Sequence, residues 1–183
     1  MKYYKYPNPY ITDDEVATDY IEVDGDLIMR QLSVFENSDI SSNVDLALGD
    51  QPFDYEYLKD DFEEIVPIAA DEFNAAWQKH LQQHEARWAE AKKAFPINAP
   101  VAGCMRIFFP QGVIVELGQQ MYGVTDYTQA RATASSGFIM GTGFQLNGIV
   151  TGYDEVNQWI ELGSPQIHSD KPCGNRLIFI VGS

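Results

Sequence analysis

The feature that most constrains the fold is a series of short apolar runs across residues 96–163, each closed by glycine. The stretch reads PINAPVAGCMRIFFPQGVIVELGQQMYGVTDYTQA, then a polar loop, then GTGFQLNGIVTGYDEVNQWIELG. Runs this short, bounded by turn-forming residues, read as strands, and several in succession predict a small antiparallel barrel with glycines at the turns. Ile107, Val113, Val115, Leu117, Val124, Leu146, Ile149, Ile160 and Leu162 are the candidate filling. After the barrel, SPQIHSDKPCGN reads as a loop and RLIFIVG as an extra C-terminal strand. So apolar a strand has to pair with a barrel edge or with the first half, because left bare it would template aggregation.

The first half has a different pattern. Residues 1–17 hold Pro7, Pro9 and the acidic cluster Asp13, Asp14 and Glu15, and read as an irregular arm. TDYIEV at 18–23 and LIMRQLSVFE at 27–36 flank Asp24-Gly25-Asp26, a hairpin signal. Ile21, Val23, Leu32 and Val34 are expected to share one core. A polar turn at 37–42 and a weaker strand at 43–48 complete a meander, which Pro52 stops. FDYEYLKDDFEEI at 53–65 reads as a short helix that turns acidic side chains outward. Residues 69–94 read as one long helix, with Phe73, Trp77, Leu81, His84, Trp88 and Ala91 recurring every three or four positions and Pro96 ending it. The expected class is therefore α+β: an antiparallel meander plus a long helix over residues 1–95, then the barrel and its C-terminal extension over residues 96–183.

Charge separates the two halves. The formal net charge is −15. Residues 1–96 carry 8 basic and 21 acidic side chains, a balance of −13, whereas residues 97–183 carry 4 and 6, a balance of −2. Strong negative charge repels phosphate backbones and attracts basic proteins. Asp54, Glu56, Asp60, Asp61, Glu63 and Glu64 are the candidate partner-binding residues.

Chemistry-bearing motifs are sparse. His80 and His84 stand four apart, as two ligands on one helix face would, but Leu81, Gln82 and Gln83 lie between them and the glutamate of a helical zinc hydrolase is missing. The sequence therefore predicts no metal and no cofactor. The acidic run at 60–64 lacks the spaced ligands of a calcium loop. A phosphate-binding glycine loop and a nucleophile elbow are both missing, so the expectation is a protein that is not an enzyme. Cys104 and Cys173 are one pair in a long chain and read as two separate thiols in a reducing compartment, hence a cytoplasmic protein. No window approaches about 18 uninterrupted apolar residues, so no membrane span is expected.

Two resemblances add to this reading. DLIMRQLSVFEN, then DQPFD, then AADEFNAAW resemble small acidic bacterial domains found among the immunity proteins of toxin systems; no functional residue carries over. Val101-Ala102-Gly103, the strand that Gly112 leads, Gly123-Val124, and the strands from Phe144 to Asp154 and Gln158 to Leu162 resemble an S1 domain, a five-stranded barrel of the OB-fold class. That resemblance implies single-stranded RNA binding through aromatic, histidine and basic side chains on one barrel face. At the matching positions this chain has Gln111, Ile114, Asp126 and Gln158, and only Asp154 fits. Phe109, Tyr122, Tyr127, Asp154 and Trp159 are the candidates for an alternative nucleic-acid face. The expected function is non-catalytic binding of a basic protein, such as a toxin or a nucleic-acid enzyme, as an inhibitor or adaptor. The alternative is single-stranded nucleic-acid binding through the barrel.

Overall fold

Lys2, Tyr3, Tyr4, Lys5 and Tyr6 begin a strand, β1 (Lys2–Asn8), in the computed structural model, which describes residues 1–8, 16–48 and 64–173. The irregular arm expected at the start of the chain is thus corrected over these residues. Pro7 lies next to the end of the strand, where it pairs opposite Thr18. The helix expected at 53–65 falls almost wholly outside the described residues, and the terminal strand RLIFIVG entirely so.

β1 joins β2 (Ala17–Asp24), β3 (Leu27–Val34), β4 (Asp39–Ser41) and β5 (Val66–Pro67) in an antiparallel sheet ordered β4-β3-β2-β1-β5. Tyr20 sits opposite Leu32, and Ile21 opposite Gln31, so Ile21 and Leu32 lie on different faces. The single shared core expected for them is corrected to two. Tyr6, Ile21, Val23 and Ile28 pack on one face, while Leu32 and Val44 pack with Phe73, Trp77 and Leu81 on the other. The strand expected at 43–48 is absent, and β4 lies in the segment read as a turn. The Ser41 hydroxyl accepts from the backbone N–H groups of Val44 and Asp45, while the Asp45 carboxylate accepts from Ser41 N. Such local side-chain bonds compete with a strand ladder.

The long helix is two: α1 (Ala70–Gln83) and α2 (Glu85–Ala94), meeting at His84 with φ −104° and ψ 4°. α1 buries Phe73, Trp77, His80 and Leu81 against the sheet. Arg30 fastens this contact, with its guanidinium bonded to Glu22 at 2.6 and 3.0 Å and lying 4.8 and 4.9 Å from the rings of Phe73 and Trp77. On α2, Trp88 and Ala91 join the core of the barrel instead.

The barrel comprises β6 (Pro100–Phe109), β7 (Gly112–Gly118), β8 (Met121–Thr125), β9 (Phe144–Asp154) and β10 (Trp159–Pro172), with α3 (Tyr127–Thr133) between β8 and β9. It closes in the order β10-β8-β7-β6-β9; β8 and β10 pair in parallel and the other neighbours antiparallel. Met105, Val113, Val115, Leu146, Val150, Ile160 and Leu162 fill it. Ile107 and Val124, expected inside, belong to a second cluster outside the barrel core. Gly112 has φ +144°, and a Cβ there would collide with the carbonyl oxygen of Thr125. A Cβ on Gly103 would lie 2.5 Å from the carbonyl oxygen of Glu116. Two glycines of the sequence pattern therefore sit where backbone passes too close for a side chain.

β10 runs on through the segment read as a loop, with Ile167 opposite Leu146 and buried in the core. Its end brings Cys173 to Cys104 of β6, and the two form a disulfide with Cα atoms 6.0 Å apart. The expectation of two separate thiols is corrected, and with it the redox argument for a reducing compartment. Among the described residues the chain is α+β, with three helices, a five-stranded antiparallel sheet and a closed five-stranded barrel. No described helix is long and apolar enough to cross a membrane.

Candidate functional site

The seam between the sheet–helix half and the barrel gathers three of the aromatic side chains singled out in the sequence, Phe109, Tyr122 and Trp159. Ile107 and Phe109 of β6, Ile114 of β7, Tyr122 of β8 and Trp159 of β10 form a buried apolar cluster, and Leu46 from the first half packs against it. Trp159 is 0% exposed, and its ring stacks on Phe109 at 6.1 Å and 13°.

Polar ties surround this cluster. All three tryptophans of the chain donate their indole N–H across the seam. Trp77 Nε1 donates to the carbonyl of Val156 at 2.7 Å, Trp88 Nε1 to Glu155 Oε2 at 2.6 Å, and Trp159 Nε1 to the carbonyl of Asn43 at 2.9 Å. A buried indole requires such an acceptor, and here the acceptor lies in the other half of the chain each time. Asn43 Nδ2 also donates to Asn157 Oδ1, Gln158 Nε2 to the carbonyl of Leu81, and Gln111 Nε2 to the carbonyl of Met29, at 2.9, 3.0 and 2.7 Å. Lys92 Nζ lies 3.0 Å from Glu155 Oε1. Partial burial pushes the Glu155 carboxyl up, but Trp88 and Lys92 outweigh it and hold the group below the usual glutamate value.

The candidate nucleic-acid residues divide accordingly. Phe109, Tyr122 and Trp159 come together, but inside the seam, where no base can stack on them. Tyr127 is exposed at the start of α3, apart from that cluster and edge-on to Phe108 at 6.0 Å. Asp154 shapes the β9–β10 turn: Oδ1 accepts from the backbone N–H groups of Val156 and Asn157 at 2.9 and 3.0 Å, and Oδ2 from Asn157 Nδ2 at 2.7 Å. Asp126, at the histidine position of the S1 pattern, caps α3 by accepting from Gln129 N at 2.7 Å. Of the acidic candidates, Asp54, Glu56, Asp60, Asp61 and Glu63 lie outside the described residues, and Glu64 is exposed.

Beside the seam lies a cluster that the sequence indicated only in part. His80 and His84, one helical turn apart, face Asp45 in the bend after β4. His80 Nε2 stands 3.0 Å from Asp45 Oδ2, and His84 Nε2 3.2 Å from Asp45 Oδ1. Both rings turn Nε2 to the carboxylate, and among the described residues His80 Nδ1 is buried without a hydrogen-bond partner. The two imidazole rings meet edge-on at 4.7 Å. The Arg87 guanidinium reaches 3.8 Å from Asp45 Oδ1 and donates to the carbonyl of Val44 at 3.0 Å. Burial pushes the Asp45 carboxyl up, but the imidazoles and Ser41 bring it below the ordinary aspartate value. Burial lowers His84, with Arg87 and His80 adding to that and Asp45 opposing it. The histidine spacing was legible in the sequence; the aspartate that meets it was not.

Compared with known proteins, the chain matches no family model and no curated protein.

Proposed function

We propose that this is a non-catalytic protein-binding protein, an immunity-type inhibitor or adaptor whose acidic first half engages a basic partner, with an S1-like barrel of the OB-fold class as its scaffold. Support for the OB class comes from strand order. Counted from β6, the barrel closes as 1-2-3-5-4, with strands 3 and 5 parallel and a helix between strands 3 and 4. Barrels of that class take oligonucleotides on the face of strands 2 and 3 and between the loops joining strands 1 to 2 and 4 to 5.

One observation carries the reading: the protein's own first half occupies that face and both loops. Ile114 and Tyr122, on strands 2 and 3, are buried in the seam. Gln111 in the first loop, and Glu155, Val156, Asn157 and Gln158 in the other, bond to the sheet, the bend after β4 or the helices. Polynucleotide would have to displace this contact while approaching a chain of net charge −15. The same charge draws in a basic protein surface and speeds its encounter.

The test is affinity capture across a salt series. Wild type is expected to hold a basic protein stoichiometrically at low salt and release it as salt rises. A variant carrying Asp54→Asn, Glu56→Gln, Asp60→Asn, Asp61→Asn, Glu63→Gln and Glu64→Gln is expected to hold none. Capture that returns RNA with no stoichiometric protein contradicts the proposal.

A further inference from the structure

We propose that Asp45, His80 and His84 bind a divalent transition-metal ion of the zinc class, which pins the bend after β4 to the helix pair at the edge of the seam. Three observations converge on this site. The ligand atoms of the three residues all lie within 4.8 Å of one another. His80 Nε2 lies 3.0 Å from Oδ2 and His84 Nε2 3.2 Å from Oδ1, so the carboxylate offers one oxygen to each ring, each at close to the roughly 3.3 Å that separates neighbouring donors about 2.0–2.1 Å from zinc. His80 is 0% exposed; its Nε2 faces the Asp45 carboxylate, and its Nδ1 has no hydrogen-bond partner among the described residues. A metal ion would take the Nε2 lone pair of each ring, which now faces the carboxylate.

The carboxylate is also held in advance. Ser41 N and Oγ donate to Asp45 Oδ2 at 2.9 and 3.0 Å, so a second layer of contacts fixes its orientation. The His84 side chain is 22% exposed, which gives an ion a way in and leaves room for a water ligand.

The donor set selects the metal. There is one carboxylate, and the Arg87 guanidinium 3.8 Å away offsets its charge. Calcium takes six to eight oxygen donors and magnesium prefers carboxylates and phosphates, so neither finds its ligands here. Two imidazoles and one carboxylate suit zinc and its neighbours. The ion would act structurally, because the bend it holds also presents the Asn43 carbonyl to Trp159 and Leu46 to the seam cluster.

The experiment uses the full, disulfide-intact chain stripped with a chelator. Titration with Zn²⁺ is expected to show one equivalent bound and a rise in Tm, since an ion that binds only the folded state stabilises it. Mg²⁺ is expected to give neither. Ser41→Ala should weaken zinc by about 10–100-fold, the usual effect of losing a contact that orients a ligand. His84→Ala, at a half-buried position, should abolish binding while far-ultraviolet circular dichroism stays unchanged, and His168→Ala should bind as wild type does. Co²⁺ added to wild type is expected to give the visible absorption of a low-coordinate site and to lose it on addition of Zn²⁺, a result that does not depend on any variant folding. Absence of stoichiometric zinc binding, an unchanged isotherm in His84→Ala, or equal binding of Mg²⁺ would overturn the proposal.

Discussion

Trp159→Phe isolates the contact on which the seam depends. The indole N–H donates to the carbonyl of Asn43 at 2.9 Å, and the residue is 0% exposed. Phenylalanine keeps an aromatic ring for Phe109 to stack against but removes the donor. Leaving a buried carbonyl unpaired costs about 1–3 kcal/mol. The smaller ring leaves a void that adds about 1 kcal/mol. The expected loss is therefore roughly 2–4 kcal/mol, or a fall in Tm of about 5–15 °C for a chain of this size. Urea unfolding followed by circular dichroism reads it as a lower midpoint at unchanged slope. Tyr127→Phe is the control: that ring is 49% exposed, and the change should stay within about 0.5 kcal/mol. If Trp159→Phe costs no more than the control, the indole does not tie the halves together and the seam is misdescribed.

Two further perturbations address other contacts. The disulfide spans a sequence separation of 69, so reduction or Cys104→Ser should cost about 4 kcal/mol in the chain-entropy account, and thiol titration of the denatured, unreduced protein should find no free thiol. A titre of two thiols per chain would refute the pairing. Glu155 titrates below the ordinary glutamate value of about 4.5, so its contribution is present above that pH and is lost as pH falls through the native value. Glu155→Gln should therefore be less stable than wild type near neutrality and equal to it in acid; the difference should stay below about 1 kcal/mol, because the side chain is 61% exposed. A difference that persists unchanged at low pH would assign the effect to packing.

What could be read from the sequence was what short-range chemistry decides. Gly103 in its strand and Gly112 at its turn were legible because their constraint is steric, a backbone passing where a Cβ would stand. Phe73, Trp77 and Leu81 were legible because helical periodicity places them on one face. β1 was missed because Pro7 and Pro9 argue against a strand, yet Pro7 sits next to the end of β1, where a missing N–H costs little. The late part of β10 was read as a loop because register shifts after Gly163 and His168 break the alternation that marks a strand. The segment at 43–48 has strand-like composition but bends, because Ser41 and Asp45 bond to nearby backbone.

The candidate site was less legible because its partners are distant in sequence. Trp159 and Tyr122 are amphipathic aromatics equally suited to stacking on a base or to filling a seam, and only the position of Asn43 and Leu46 decides between these. His80 and His84 announced a shared helix face, but the carboxylate that completes their cluster comes from an irregular bend with no periodic signature.

The proposal that the protein's own first half closes the face where an OB-class barrel would take a polynucleotide is tested most directly by titrating labelled mixed-sequence RNA and DNA oligomers at low salt, with tryptophan emission followed in parallel. The account predicts no saturable binding and unchanged emission. Salt-sensitive binding that quenches tryptophan in wild type and is lost in Trp159→Phe would contradict it.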